Sequence, residues 1–496
     1  MTSANPEPSP RAALLRKLAI AACVGVVLVV YLRSALSYEK SIDPVPSSTA
    51  PVSAFGRPSP EPDFHNLIAD SIIHRQGNLT IKPPQDLLRL ENPYDPEANA
   101  QSVVGQRLLD LSLYKGKLYA YFGPAPAILL FVPFRLLRVG DLSPTLAGLI
   151  FSVLGFAFSV LLFKKLARHF FLKIPLWMEC LSIVALGLAV PVPFIIYVGR
   201  GYEVAIACGY FLLFAGLYCL TSGLLSRGRT ATALMAVGSA ALAFGVAARP
   251  DLIFAALFVA IAVCIVSRSV RYERRDRVIR IAALVGPYVI IGILIALYNV
   301  IRFGSVTEFG SSYQLARFNP REYVFYQPWY IPHGLYYYLL APGRFLGNYP
   351  YVFLQKFVPY SQGLSNDVYT IEPVAGVLTT MPLIALGLVM IVTQFRGLMR
   401  RCRPALLAIV SGLLVAAAIV AGISFTFRSA TMRYTLDFAP LLLVSGLLAW
   451  AFWSTERAPR GARFWLVQAT WGLALAASVL FNLAITLTPC PGCRGL

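Results

Sequence analysis

Residues 62–79 read PDFHNLIADSIIHRQGNL and bring Asp63, His65, Asp70 and His74 close together, downstream of the apolar run LAIAACVGVVLVVYL. A carboxylate beside a membrane-length helix is suited to taking a proton from a hydroxyl, provided its surroundings bring its pKa near the working pH. Asp63, first in the stretch, is the candidate general base. Further along, Arg200, Arg249, Arg302, Arg344 and Arg433 fall at or near the ends of apolar runs. A guanidinium matches phosphate oxygens in two-pronged fashion, so these five are candidates to hold a phosphate or diphosphate group. Glu203, Asp251 and Asp95 are the secondary acids.

Each residue also has a structural explanation. Arg200 and Glu203 in GRGYEVA are spaced to pair at a helix start. Arg249 and Asp251 flank Pro250 and mark a turn, and Asp95 in PYDP sits in a rigid one. Asp437 has Arg433 one helical turn before it and is expected to pair with it, because a lone acid at the membrane is costly. Asp63 suits the cap of a helix through NLIADSIIHR, whose Leu67, Ile68, Ile72 and Ile73 form an apolar stripe for lying along a membrane. His65 and His74 are expected as packing or surface residues. Their spacing supports no metal site, and no cofactor is expected.

The elements that must position these groups follow from hydropathy. Of 496 residues, 57% are hydrophobic and 13% charged, and the mean hydropathy is +0.66, more apolar surface than a soluble core can hide. Eleven apolar runs are long enough to span: 15–32, 145–163, 176–197, 202–224, 231–248, 250–267, 281–299, 372–393, 404–424, 434–453 and 464–487. A further stretch, YFGPAPAILLFVPFRLL at 121–137, is short and carries three prolines, and is expected to lie at the interface.

The net charge of +20 is mostly topology. With the N-terminus inside and 121–137 not crossing, the connectors KKLARHFFLK, SRGR, RSVRYERRDRVIR, RGLMRRCR and TERAPRGAR all fall on the inner side, as the positive-inside rule describes. Nucleic acid is not an expected partner; acidic lipid headgroups are. The organisation is a cytoplasmic 1–14, a retained signal anchor at 15–32, an outward loop at 33–144 and a six-helix block at 145–299. An aromatic-rich outward loop at 300–371, a four-helix block at 372–487 and an outward tail at 488–496 follow. Residues 37–62 are Pro- and Ser-rich, a loose tether. Five cysteines lie in apolar helices as small hydrophobes, Cys402 lies in a basic connector, and Cys490 and Cys493 form a terminal CPGC. No dinucleotide or P-loop glycine pattern is present.

An anchor, an acid opening the first outward loop, a Pro-interrupted apolar helix and a span ending in KKLAR together resemble the GT-C class of membrane glycosyltransferases, such as the polyprenyl-phosphate-dependent protein mannosyltransferases and aminoarabinose transferases. PPQDLLRLENPYDPEANA, DLSLYKGKLYAYFGPAPAILLFVPFRLL, GYEVAIACGYFLL, ARPDLIFAA and YNVIRFGSVTEFGSSYQL more closely resemble a group of bacterial multispanning membrane proteins. The resemblance covers about 63–453. It implies an all-α polytopic membrane protein, a GT-C-like bundle of about eleven transmembrane helices whose first outward loop carries interfacial helices. It also implies an inverting transfer from a polyprenyl-phosphate-linked sugar to an envelope glycan, lipid or protein, with Asp63 in the place of the class's catalytic base. Many members carry Asp-Glu or Asp-x-Asp there; this chain has Asp63-Phe64-His65. The other readings are a transporter or flippase for a lipid-linked or polar substrate, and a non-catalytic envelope assembly component.

Overall fold

The computed structural model describes residues 10–38, 63–104, 108–137, 140–171, 174–270, 272–316, 318–322, 324–347, 351–354, 369–400, 404–457 and 461–487. Of the tether expected over 37–62, Ser37 and Tyr38 close the first helix and 39–62 lie outside the described residues, as do the terminal CPGC, Cys402, and the connector cations Lys173, Arg271, Arg401, Arg403 and Arg460.

The chain opens with a long apolar helix, α1 (Pro10–Tyr38). A small non-spanning layer follows: α2 (Phe64–Ile73), α3 (Gln85–Arg89), α4 (Pro96–Val104) and an antiparallel hairpin of β1 (Leu111–Tyr114) and β2 (Lys117–Ala120). Lys115 and Gly116, at φ 47° and 70°, make the two-residue turn whose left-handed backbone suits the twist of paired strands. The proline-bearing stretch then forms a widened turn over Ala127–Phe131 and α5 (Val132–Leu136). Pro133 lacks an N–H for the helical ladder, and the resulting apolar helix, Ala127–Leu136, is short.

The bundle proper begins at α6 (Pro144–Phe170) and continues with α7 (Leu176–Leu188) and α8 (Val192–Val198), two halves of one apolar span interrupted before Pro191. Next come α9 (Gly201–Leu225), α10 (Gly228–Val246), a tight 3-10 turn over Pro250–Ala255 leading into α11 (Ala256–Arg268), and α12 (Arg274–Phe303). An aromatic segment holds the short helices α13 (Ile331–Leu335) and α14 (Val377–Thr380). The last four helices are α15 (Pro382–Arg400), α16 (Pro404–Thr426), α17 (Ala439–Phe452) and α18 (Ala462–Leu487).

Ten helical stretches among the described residues are long and apolar enough to cross a membrane; the apolar part of α15, Pro382–Gln394, is shorter. The span expected at 372–393 starts later than its hydropathy suggests. Pro373 and Glu372 belong to a loop in which Thr370–Ile371 pairs in parallel with Ser429–Ala430. The span expected from 434 likewise begins at Ala439, because Met432–Asp437 is a 3-10 turn. The architecture is an all-helical, multi-pass membrane fold.

Helices pack both with and beyond their neighbours in sequence: α9 lies between α6 and α10, α15 packs on α17, and α1 leans on α6, α7 and α8. Small residues allow the close approaches. Gly387 of α15 and Gly446 of α17 face each other so tightly that a Cβ on either would lie 2.8 Å from the other's Cα. The spans α1 and α12 are almost uncovered by protein, and Ile290, Ile293, Leu294, Leu297 and Ile301 of α12 form an exposed apolar face suited to acyl chains.

The two ends of the bundle differ. At one end the start of α9, the α10–α11 turn, the α16–α17 turn and the layer of α2 and the hairpin meet; Ala125 N–H, for example, donates to Ala247 O at 3.1 Å. At the other end the start of α1, the end of α6 and the start of α7 meet around Glu179, which takes both Arg16 and Lys164.

Candidate active site at one end of the bundle

The first turn of α9 is its foundation. Gly199 adopts φ 53° and ends α8, so the chain reverses within three residues. Arg200 is the half-buried N-cap of α9, and Glu203 reaches back to its backbone N–H at 3.2 Å, a capping contact. Gly201 meets the ring of Phe64, where a Cβ would lie 2.7 Å from Cδ2. His65 Nε2 lies 3.0 Å from Gly201 O, its ring packed on Phe122 and Phe131. The start of α2 is therefore seated on the start of α9. Phe122 continues the contact to Tyr202, with ring centres 5.0 Å apart.

Asp63 caps α2. Its carboxylate accepts from the backbone N–H of Asn66 at 3.4 Å and from the Asn66 side-chain amide. Asn66 is itself clamped to the chain ahead of α6: its Nδ2–H donates to Leu142 O at 2.9 Å and its Oδ1 accepts from Leu142 N–H at 3.2 Å. Burial pushes the Asp63 carboxyl up to about 6; the Asn66 hydrogen bonds pull against it, and the charges of Asp141 and Arg135 act in opposite directions. Part of its surface nevertheless stays open. Beside it Arg135 is held by Asp70 at 2.6 Å and by Asp141 at 2.6 Å.

Around the α9 corner, four widely separated parts of the chain place six charges in one contiguous cluster. Arg433 takes Glu372 at 2.8 Å and Glu203 at 3.5 Å, with its guanidinium 4.7 Å from the centre of the Tyr202 ring. Arg249 takes Asp437 at 2.6 Å and Asp251 at 3.1 Å. Tyr434 joins the halves, its ring 4.9 Å from Arg249 and 5.7 Å from Arg433. Burial alone would lower both guanidinium pKa values; Asp251 and Asp437 for Arg249, and Glu372 and Glu203 for Arg433, more than reverse that. Burial, and then the adjoining Asp251 carboxylate, push Asp437 upward against the pull of Arg249. Exposure is uneven. The side chains of Glu203 and Asp437 are 2% and 3% exposed, those of Asp251 and Glu372 19% and 26%. Arg249 and Arg433 each keep a buried Nε–H with no partner among the described residues.

Of the residues singled out in the sequence, Arg249, Asp251, Arg433 and Glu203 come together. Asp63 lies at the edge of this region, one residue from the Phe64–Gly201 contact. Arg302 is buried elsewhere, donating to Ala120 O at 2.8 Å and Asn299 Oδ1 at 2.9 Å, and so fastens the end of α12 to β2. Arg344 is exposed. Asp95 accepts from Glu97 N–H at 3.0 Å at the start of α4, as a turn residue does.

One expected pairing differs. Asp437 takes Arg249 and not Arg433, because Met432–Asp437 is a 3-10 turn that does not place those two side chains as an α-helix would. Glu203 does pair with Arg200 at the helix start, through the Arg200 backbone N–H, and also takes the guanidinium of Arg433. The residues that sequence reasoning missed are Glu372, Tyr434, Tyr202, Tyr121 and Asp110. Glu372 carried no signal beyond being an acid at the edge of an apolar run. Asp110 carried none either: it precedes the hairpin at φ 66° and accepts from Gln314 Nε2–H at 2.6 Å, and the Tyr121 and Tyr202 rings meet with centres 6.1 Å apart.

The chain matches no family model and no curated protein. Among solved structures it is similar to the apo oligosaccharyltransferase of Archaeoglobus fulgidus, at 12% identity and a TM-score of 0.46, over 94% of this chain and 56% of that one. It is also similar to ArnT from Cupriavidus metallidurans bound to undecaprenyl phosphate, at 12% identity and a TM-score of 0.42, over 94% of this chain and 75% of that one. The chain thus spans little more than half the length of the first. Likenesses this distant carry no argument about its chemistry.

Proposed function

We propose that the chain is an inverting glycosyltransferase of the bacterial inner membrane, with its N-terminus in the cytoplasm and its site on the outer face. In this reading it moves a sugar from a polyprenyl-phosphate carrier to an envelope glycan, lipid or protein. The supporting observation is the six-charge cluster at the end of the bundle where α2, capped by Asp63, is seated on the start of α9. Burying charge at a membrane surface costs several kcal/mol per group unless it is paired, and simple anchoring needs only one pair. Two arginines and four acids gathered from four parts of the chain are the arrangement of a site.

The Asp63 carboxylate accepts the proton of the acceptor hydroxyl. The oxygen attacks the anomeric carbon opposite the phosphate, the bond to the carrier oxygen breaks, and the polyprenyl phosphate leaves with the electron pair. A carboxyl brought to about 6 is ionised at neutral pH yet basic enough to help. The clamp is not a bare positive patch, since with all six groups ionised the acids outnumber the arginines. Phosphate must therefore compete for a guanidinium, and Glu372, the most exposed of the four acids, is the one it would displace from Arg433. The leaving charge would gain N–H donors there as it develops.

The test compares wild type with Asp63→Asn, Arg433→Ala and Arg344→Ala, given radiolabelled polyprenyl-phosphate sugars and an envelope acceptor fraction. Transfer should fall at least about a hundredfold for Asp63→Asn, the scale of lost acid–base assistance, fall for Arg433→Ala, and persist for Arg344→Ala. Full activity in Asp63→Asn would move the base to Asp251. Absent transfer, with carrier-dependent movement of the substrate across vesicles, would replace the enzyme with a transporter.

A further inference from the structure

The opposite end of the bundle carries a second charged site. Between α1, α6 and α7 lies a small, open cleft lined by Arg16, Lys164, Arg168 and Glu179 with Phe163 and Phe171 among its apolar walls. Glu179 is buried, and its two oxygens are divided: Oε2 takes Arg16, and Oε1 lies 3.1 Å from Lys164. Arg168 follows Lys164 by four residues on α6 and is exposed. Three cations face one carboxylate, leaving a formal surplus of two positive charges.

These groups lie where the helices leave their apolar stretches. Lys164 opens the basic connector KKLARHFFLK that follows the apolar run 145–163. Arg16 and Glu179 lie three residues inside the ends of Ala13–Ser37 and Leu176–Val198. The surplus charge is therefore at headgroup level, where an anionic lipid can reach it from the side. We propose that this cleft binds the phosphate of an anionic phospholipid headgroup, with Glu179 holding Arg16 and Lys164 in place and the aromatic walls meeting the glycerol and upper acyl chain. The site is independent of the transfer chemistry proposed above.

The full-length protein, in neutral detergent, would be titrated with phosphatidylglycerol, phosphatidylcholine or inorganic phosphate while its thermal unfolding midpoint is followed. Phosphatidylglycerol should raise the midpoint saturably and phosphatidylcholine should not. Each cation removed should weaken the apparent affinity about fivefold, so Lys164→Gln with Arg168→Gln should lose about 25-fold. Arg227→Gln with Arg229→Gln, two cations of another connector, should lose nothing. Arg168→Gln alone, a change at an exposed position, should show the fivefold loss even where the double variant fails to fold. Equal losses in the cleft and control variants, or no selectivity for the anionic lipid, would overturn the site. Inorganic phosphate acting as well as the lipid would overturn the lipid assignment.

Discussion

Replacing Arg249 with methionine tests whether the charge cluster is an interdependent unit. Arg249 is the shared counter-ion of Asp251 and Asp437, and the Asp437 side chain is 3% exposed. Removing it strands a buried carboxylate beside another. Breaking a buried pair from one side costs about 3–5 kcal/mol. Asp251 is partly open to solvent and Asp437 can take up a proton, so the lower end applies, about 3 kcal/mol. The deficit should be largest at alkaline pH and shrink as pH falls, because protonation removes the stranded charge. Adding Asp437→Leu removes that charge altogether; apolar replacement of a buried pair is often neutral, so the double variant should recover to within about 1 kcal/mol of wild type. Reversible unfolding in mixed micelles measures all three proteins. A single-variant loss below about 1 kcal/mol, or a double variant no better than the single, would refute the reasoning.

Two further outcomes follow from other parts of the molecule. Burial raises Asp63 to about 6 and lowers His65 to about 4, so between pH 6 and 4 the folded state gains a proton at Asp63 that the unfolded state lacks, while His65 does the reverse. The two slopes, each worth up to about 3 kcal/mol, should nearly cancel in wild type; Asp63→Asn should be more stable than wild type at pH 8 and lose that advantage by pH 4. Parallel pH–stability curves for the two proteins would contradict this. At the α15–α17 crossing, Gly446→Ala puts a methyl 2.8 Å from the Gly387 backbone; the helices must part, which should cost about 1–3 kcal/mol in the same unfolding assay.

The sequence by itself determined the class of fold. Spanning helices declare themselves because lipid demands a continuous apolar run wherever the backbone crosses, and the long runs found at α6, α9, α12 and α18 leave little to tertiary context. The same patterning marked 121–137 as short and rich in proline, and the apolar helix there runs only over Ala127–Leu136. Hydropathy blurred the ends, at Ala439 and Pro382, because an apolar residue in a buried loop is indistinguishable from one in a span. The charges Arg249, Asp251, Arg433 and Glu203 were legible as residues worth attention, since an ionisable group at a helix end is costly without a purpose.

Their partners were not legible. Depth along a helix can be read from a sequence; the angle at which a side chain leaves the bundle cannot. Arg302 and Arg433 both fall near the ends of apolar runs, yet one ties α12 to a hairpin and the other meets Glu372 and Glu203. Asp437 joins Arg249 across the bundle, and Tyr434 comes to lie between two guanidiniums, only because the α10–α11 and α16–α17 turns meet in space. Pairing of this kind is decided by helix packing, which brings together residues with no relation in the chain.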